Sequence, residues 1–257
     1  PYPFPKYKHV DPNNPNDVHT FILNEVQTDT RALEIGSGGG RLTHFLAKKG
    51  CAIDGVESDK SIGFMAMPFA QNIWFSEINE QLNMEIIPEN HYDFIIMADA
   101  LENMNDPVTT LNKLQLKLQP EGSFLISVKN LNHWKIWAEI IKNKTELSGP
   151  APTYTSDYMD YYDLRSFAEI MNSSKLKITK ICTVIDHYDF CDKETKQMLE
   201  SSKEPHIQEK LNSILLHIGR YLFRVSRMTK LDGLNRSDHL IEKVERALRK
   251  QDYTIEI

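Results

Sequence analysis

Cysteine is scarce in this chain: Cys51, Cys182 and Cys191 are the three among 257 residues, and they include no Cys-x-x-Cys pair and no zinc-like spacing. Three thiols cannot all pair with one another, so neither a disulfide framework nor a cysteine metal cluster organises the fold, and a reducing cytoplasm fits best. Long apolar runs are also missing. None approaches the roughly 18 residues of a membrane span, so no transmembrane segment is expected. Excess positive charge is absent, with 30 Lys+Arg against 36 Asp+Glu and a net charge of -6. That balance argues against a protein that coats nucleic acid, because such binding rests on neutralising phosphates. No internal repeat and no low-complexity tract occurs. The length suits one well-buried α/β domain with an appendage. The chain opens Pro1-Tyr2-Pro3-Phe4-Pro5 without an initiator methionine, and no targeting signal is visible in it.

What is present is periodicity. After five prolines in residues 1–16, residues 17–26 place Val18, Phe21, Ile22 and Val26 at helical spacing. Short apolar runs then follow at 32–35, 52–56, 73–75, 94–98 and 123–128. Helical stretches at 41–49 and 107–118 lie between them, the second ending in a Pro120-Glu121-Gly122 turn. This alternation predicts a parallel sheet with crossover helices. Residues 164–172 read as a further helix and 176–184 as a sixth strand. Residues 193–250 read as largely helical. Within them Leu211, Ile214, Leu215, Ile218, Leu222 and Val225 recur at helical spacing, and Arg220, Arg224 and Arg227 form another stripe. A docking helix is expected there, with a basic face open to solvent, to a phosphorylated acceptor or to an anionic membrane surface.

The most informative segment is Leu33-Glu34-Ile35-Gly36-Ser37-Gly38-Gly39-Gly40, directly after a strand and before a helix. Glycines there let the backbone turn sharply and approach a ligand that a Cβ would block. A nucleotide-like ligand at the carboxyl edge of the first strand is implied. Arg41 stands where a dinucleotide fingerprint needs a small residue, which disfavours a nicotinamide cofactor. Glu57 ends the second apolar run, where a carboxylate can accept hydrogen bonds from two ribose hydroxyls.

The spacing Glu34-x-Gly36-x-Gly38-x-Gly40 resembles the first motif of class I S-adenosylmethionine-dependent methyltransferases. Residues 91–103 resemble that family's fourth-strand motif, which often ends Leu-Glu-His; here Asn103 replaces the histidine. Residues 118–123 are similar to the family's turn into the fifth strand, with Glu121 as a departure. Residues 126–134 look like a segment of the branch that includes MetW-like proteins and surface-polysaccharide methyltransferases, with Lys129 in place of proline.

The resemblance implies a doubly wound, seven-stranded, mostly parallel Rossmann-like α/β sheet, with residues 1–185 as the cofactor-binding domain and its N-terminal arm. Residues 186–257 would be a mainly helical C-terminal elaboration whose residues 253–257 return a last antiparallel strand beside the fifth. The implied cofactor is S-adenosylmethionine and no metal is required. Gly36, Gly38 and Gly40, with Glu34 and Ser37 in the same motif, would line its methionine portion. Glu57 and the adjacent Ser58 would face the ribose, and Glu77 with Ile78 the adenine. Asp99 and Ala100 would lie near the methionine amino end.

Methyl transfer from a sulfonium is a direct displacement, so catalysis can come largely from holding acceptor, carbon and sulfur in line. An alcohol acceptor must also lose a proton, which points to His133 beyond the fifth strand as general base, with Asp99 in reserve. Tyr154, Tyr158, Tyr161 and Asp160 crowd the segment where an acceptor lid would lie. The expected acceptor is a small molecule or glycan, a sugar or nucleotide-sugar hydroxyl, in polysaccharide biosynthesis. Peripheral membrane contact and homo-oligomerisation stay open. The alternatives are a nicotinamide-dependent oxidoreductase and a non-catalytic methyltransferase-like subunit that stabilises a partner.

Overall fold

The structure is a computed structural model that describes residues 14, 16–77, 84–133, 162–185, 193, 197, 200–201, 218–228 and 236–249. Helix α1 (Val18–Glu25) leads into β1 (Arg31–Ile35), α2 (Arg41–Lys48), β2 (Ala52–Glu57), α3 (Lys60–Ala66), β3 (Asn72–Phe75) and β4 (Tyr92–Ala98). Then follow α4 (Pro107–Leu114), β5 (Leu118–Lys129), α5 (Leu164–Ser173), β6 (Leu176–Ile185), β7 (Ile218–Arg227) and α6 (Arg236–Arg249). The five runs expected as strands and the sixth at the carboxyl side all form, each within a few residues of its predicted bounds.

The strands make one seven-stranded sheet in the order β3-β2-β1-β4-β5-β7-β6. Neighbours from β3 to β5 pair in parallel, and β7 runs antiparallel to both β5 and β6. The chain winds outward from β1 to β3 and then restarts at β4 on the other side of β1. That reversal opens a crevice at the carboxyl ends of β1 and β4, where ligands of doubly wound sheets bind.

Both faces of the sheet are covered. Val18 and Ile22 of α1 and Leu42 and Leu46 of α2 pack on one face against Ala32, Ile53, Phe94, Ile96, Leu125 and Leu222. On the other, Leu111 and Leu114 of α4, Phe167 and Met171 of α5 and Ile241 and Val244 of α6 pack against Leu33, Ile95, Phe124 and Phe223. Phe167 and Phe223 stack with ring centroids 3.8 Å apart. Helix α1 starts where Asp17 accepts the His19 and Thr20 backbone N–H groups, a cap that satisfies otherwise orphaned donors. Its carboxyl end is tied to α2 by Lys49, whose ammonium donates to the carbonyls of Leu23 and Val26.

Two expectations are corrected. Residues 193–250 are not one helical run: Ile218–Arg227 is a strand inserted between β5 and β6. Its register runs from Ser123 opposite Ser226 to Lys129 opposite Arg220. Tyr221, Phe223 and Val225 enter one core and Leu222 the other. Because Tyr221, Leu222, Phe223 and Val225 serve both faces, strict alternation is lost, and Ile218, Leu222 and Val225 fit a helical template as readily as an extended one. The basic stripe dissolves with the helix, because Arg224 reaches Glu25 at 3.4 Å whereas Arg227 donates to the carbonyls of Gln115 and Leu118. Thus the antiparallel strand beside β5 exists, formed by residues 218–227; the predicted 253–257 lie outside the described residues. Secondly, the Pro120-Glu121-Gly122 turn is absorbed into β5 as an irregularity, since Tyr92 pairs with Leu118 and Phe94 with Ser123.

Cys51 and Cys182 are free thiols. Among the described residues no helix is long and apolar enough to cross a membrane.

Candidate active site

The glycine loop leaves the carboxyl end of β1 and turns on three residues with positive φ: Gly36 at 74°, Gly38 at 53° and Gly40 at 76°. The Gly36 and Ser37 N–H groups both donate to the Val56 carbonyl, at 2.8 and 3.2 Å, which ties the loop to the end of β2. The glycines serve different ends. A Cβ on Gly40 would stand 2.6 Å from the Ala66 Cα, so that glycine lets the loop pack on α3. A Cβ on Gly38 would meet nothing within 4 Å. Its bareness, with its left-handed backbone, leaves space over the loop for something other than protein.

That space is a cavity of ≈ 260 Å³ whose floor is formed by Gly36, Ser37, Gly38 and Gly39. Its walls come from His19 of α1, Glu34 of β1, Arg41 and Leu42 of α2, Ile62 of α3 and Ala98 of β4. Glu57, at the end of β2, accepts the Gly38 N–H through Oε2 at 2.7 Å and the Asp59 N–H through Oε1 at 3.0 Å. Ser58 Oγ donates weakly to the same Oε1 at 3.4 Å. The carboxylate is therefore fixed beside the loop with accepting capacity left on each oxygen. Glu34 is buried and accepts Thr43 Oγ1 at 2.6 Å. Burial pushes its carboxyl up to about 8.

At the carboxyl end of β4, Asp99 has φ 53°, a conformation that Asp tolerates better than most residues. Ser127 holds it there by accepting the Asp99 N–H at 2.9 Å and donating to its Oδ1 at 2.7 Å. Ala100 is buried, its Cβ 3.9 Å from where a Gly36 Cβ would stand. Glu102, three residues past Asp99 and 3% exposed, accepts the Lys129 N–H through Oε1 at 2.7 Å. Its Oε2 has no hydrogen-bond partner. Burial, with the charge of Asp99, pushes the Glu102 carboxyl up to about 7.

The predicted site residues thus divide. The fold brings Glu34, Gly36, Ser37 and Gly38 to one cavity, with Glu57 hydrogen-bonded to its floor. Gly40 supports the loop from behind. Asp99 and Ala100 follow the adjacent strand end. His133 lies just past β5, 4% exposed, with its N–H on the Asn130 carbonyl, and does not line the cavity. Glu77 is exposed beyond β3. Ile78, Tyr154, Tyr158, Asp160 and Tyr161 lie outside the described residues. Sequence reasoning missed His19, Ile62 and the buried Glu102. Arg41 had been noted only as a break in another motif. Nothing local marks His19; it reaches the cavity because α1 docks on α2.

Residues 7–181 match the protein family described as "Methyltransferase domain", well over half of the chain. The chain belongs to this family. The methyltransferase's fold is that of solved class members. It superposes on an S-adenosylmethionine-dependent methyltransferase from Methanosarcina mazei with a TM-score of 0.56, 14% identity and coverage of 82% of this chain and 98% of that one. A Haemonchus contortus phosphoethanolamine N-methyltransferase solved with S-adenosylmethionine gives 0.55, at 14% identity over 84% of this chain and 53% of that one. Both of those proteins are named with S-adenosylmethionine, one as dependent on it and one as solved with it bound. In sequence, a ubiquinone biosynthesis O-methyltransferase of Coxiella burnetii is 25% identical over 158 residues, which is 61% of this chain and 66% of the relative. The match spans just under two thirds of that relative's length. The relatives are named for ubiquinone biosynthesis, which corrects the expected MetW-like and surface-polysaccharide branch.

The residues present suit the donor. The open space above Gly38 admits a ligand where any side chain would intrude, and the Glu57 carboxylate at the cavity's edge suits a vicinal diol. Nicotinamide is disfavoured because Arg41 occupies the position at which its fingerprint requires a small residue.

Proposed function

We propose that this methyltransferase carries a methyl group from S-adenosylmethionine to an oxygen of an aromatic, quinone-precursor-like acceptor. The observation that carries the donor half is the cavity over Gly38 with Glu57 bonded to its floor. Support for the acceptor half is the name shared by the curated relatives, ubiquinone biosynthesis O-methyltransferase. The glycan acceptor rested on residues 126–134 and on tyrosines outside the described residues, and nothing else favours it.

On this reading the main chain at Gly36 and Gly38 receives the methionine portion, Glu57 accepts the ribose hydroxyls, and Glu77 with the following Ile78 borders the adenine. Asp99 and Ala100 border the amino end. The donor, when bound, supplies an electrophilic methyl on a positively charged sulfur. The protein's task is to align the acceptor oxygen behind that carbon and exclude water. The acceptor hydroxyl loses its proton as it attacks; the base on this reading is His133, which is buried just past β5 outside the cavity over Gly38, with Asp99 as the reserve base at the same sheet edge.

The test is an isotope-transfer assay with labelled donor against a catechol-type acceptor and a nucleotide-sugar. Transfer to the aromatic acceptor alone is expected; transfer to the nucleotide-sugar alone would restore the carbohydrate reading. In the same assay His133→Ala should lower turnover by ~10²- to 10⁴-fold while leaving S-adenosylhomocysteine affinity unchanged. Wild-type turnover in that variant would assign the proton to another group.

A further inference from the structure

Arg41 stands out in the cavity wall. It opens α2, is half-buried, and its Nε is enclosed with no hydrogen-bond partner. Among the described residues no ion pair or hydrogen bond involves its guanidinium. Described cations of similar burial are engaged: Lys180 and Arg224 bond Glu25, Lys49 bonds two carbonyls at the end of α1, and Arg227 bonds two carbonyls beside β5. Partly burying an uncompensated guanidinium is costly, and the feature it borders is an open cavity rather than a packed core. His19 lines the same cavity, and its Nδ1 lies 3.2 Å from Asp17 Oδ1. That contact holds Asp17 below the usual carboxylate range. Among the described residues that line the cavity the one acid is Glu34, which is committed to Thr43 and whose carboxyl burial raises to about 8. On the side formed by α1 and α2 the cavity thus offers the Arg41 guanidinium and the His19 ring, while the Glu57 carboxylate bonds the floor at Gly38.

We propose that Arg41 and His19 together form the seat of the carboxylate of the cofactor's methionine end. The inference rests on the S-adenosylmethionine reading of this site and extends it to two residues that no motif assigned. A guanidinium offers a planar fork that matches a carboxylate with two parallel hydrogen bonds. Its position at the first residue of α2 adds the favourable end of that helix's dipole. Glu34 on β1 then faces the neighbouring ammonium group of the same amino-acid end. The arrangement also accounts for Arg41 in a loop that otherwise reads as a nucleotide cradle: the anion beside this helix is a carboxylate reached by a side chain, where a dinucleotide would bring a pyrophosphate to bare backbone.

The experiment titrates the full chain calorimetrically with two probes. S-adenosylhomocysteine has the amino-acid end; 5′-methylthioadenosine shares the adenosine and sulfur but has no carboxylate or ammonium. Arg41→Gln should weaken S-adenosylhomocysteine by about tenfold to a hundredfold, as expected for a lost charge-assisted pair, and leave methylthioadenosine within about twofold. Arg41→Lys should recover part of the loss, and His19→Asn should show the same selectivity with a smaller effect. Equal losses for both probes would mean that Arg41 only shapes the loop, and the inference would fail. Unchanged S-adenosylhomocysteine affinity with a loss confined to methyl transfer would assign the cation to an acceptor anion and overturn it as well. A wild-type chain that binds neither probe would remove the cofactor reading itself, and the inference with it.

Discussion

Gly38→Ala and Gly40→Ala are the same chemical change two residues apart, and the structure separates their consequences. Both glycines have positive φ, 53° and 76°, so either alanine costs about 1–2 kcal/mol in the left-handed region. At position 40 the new Cβ also stands 2.6 Å from the Ala66 Cα and 2.9 Å from its Cβ. Backbone must move to relieve that contact, which adds about 1–3 kcal/mol as overpacking does elsewhere. Gly40→Ala should therefore lose about 2–5 kcal/mol of unfolding free energy and Gly38→Ala about 1–2. Urea denaturation followed by circular dichroism measures both. Ligand binding should invert the order of concern: Gly38→Ala stays folded but weakens S-adenosylhomocysteine by at least about tenfold, because its Cβ enters ligand space. The reasoning is refuted if Gly40→Ala is no more costly than Gly38→Ala, or if Gly38→Ala binds the cofactor product normally.

Glu57→Ala should weaken cofactor binding by about 1–3 kcal/mol, since two hydroxyls lose a charged acceptor; calorimetry showing unchanged affinity in a folded variant would remove Glu57 from the site. Glu34 titrates from 4.5 in the unfolded chain to about 8 when buried, so the folded state binds the extra proton. The stability it contributes is complete below pH 4.5 and is lost as pH rises towards about 8. Glu34→Gln, which keeps an oxygen for Thr43, should flatten that part of the stability profile in denaturation series at pH 5, 6.5 and 8.5; an unchanged slope would contradict the assignment. Glu102→Leu removes the carboxylate that accepts the Lys129 N–H and should cost about 1–3 kcal/mol, whereas Glu102→Gln keeps the contact and should cost less. Phe223→Ala, which removes the ring stacked on Phe167, should cost about 3–5 kcal/mol, and a loss below 1 kcal/mol would mean that β7 contributes little to the core.

Much of this was legible because local pattern and tertiary role coincide in the first half of the chain. Residues 17–26 read as a helix and Val18–Glu25 is one; residues 32–35 and 94–98 are short apolar runs and become central strands. The glycine loop stood out by its spacing between a strand and a helix, and Gly36, Gly38 and Gly40 do take positive φ. Where burial is two-sided the pattern loses its meaning, and Tyr221 to Val225 could be fitted to a helix although they lie between two antiparallel neighbours. His19 shows the other failure. Its place in the cavity depends on how α1 docks against α2 through Val18, Ile22, Leu42 and Leu46, and no spacing along the chain encodes that. Arg41 was conspicuous in the sequence, yet its role could be framed only once its lack of a counter-ion was seen beside an open cavity. Glu102 carried a motif position without a reason, which burial and the Lys129 contact supply.

The account turns on what the glycine-loop cavity binds, and a paired calorimetric titration of the full chain with S-adenosylhomocysteine and with NAD tests it most directly. Saturable binding of S-adenosylhomocysteine at one site per chain, abolished or weakened by Gly38→Ala and Glu57→Ala, with no heat from NAD, is the predicted result. Binding of NAD alone, or of neither ligand, would contradict the account.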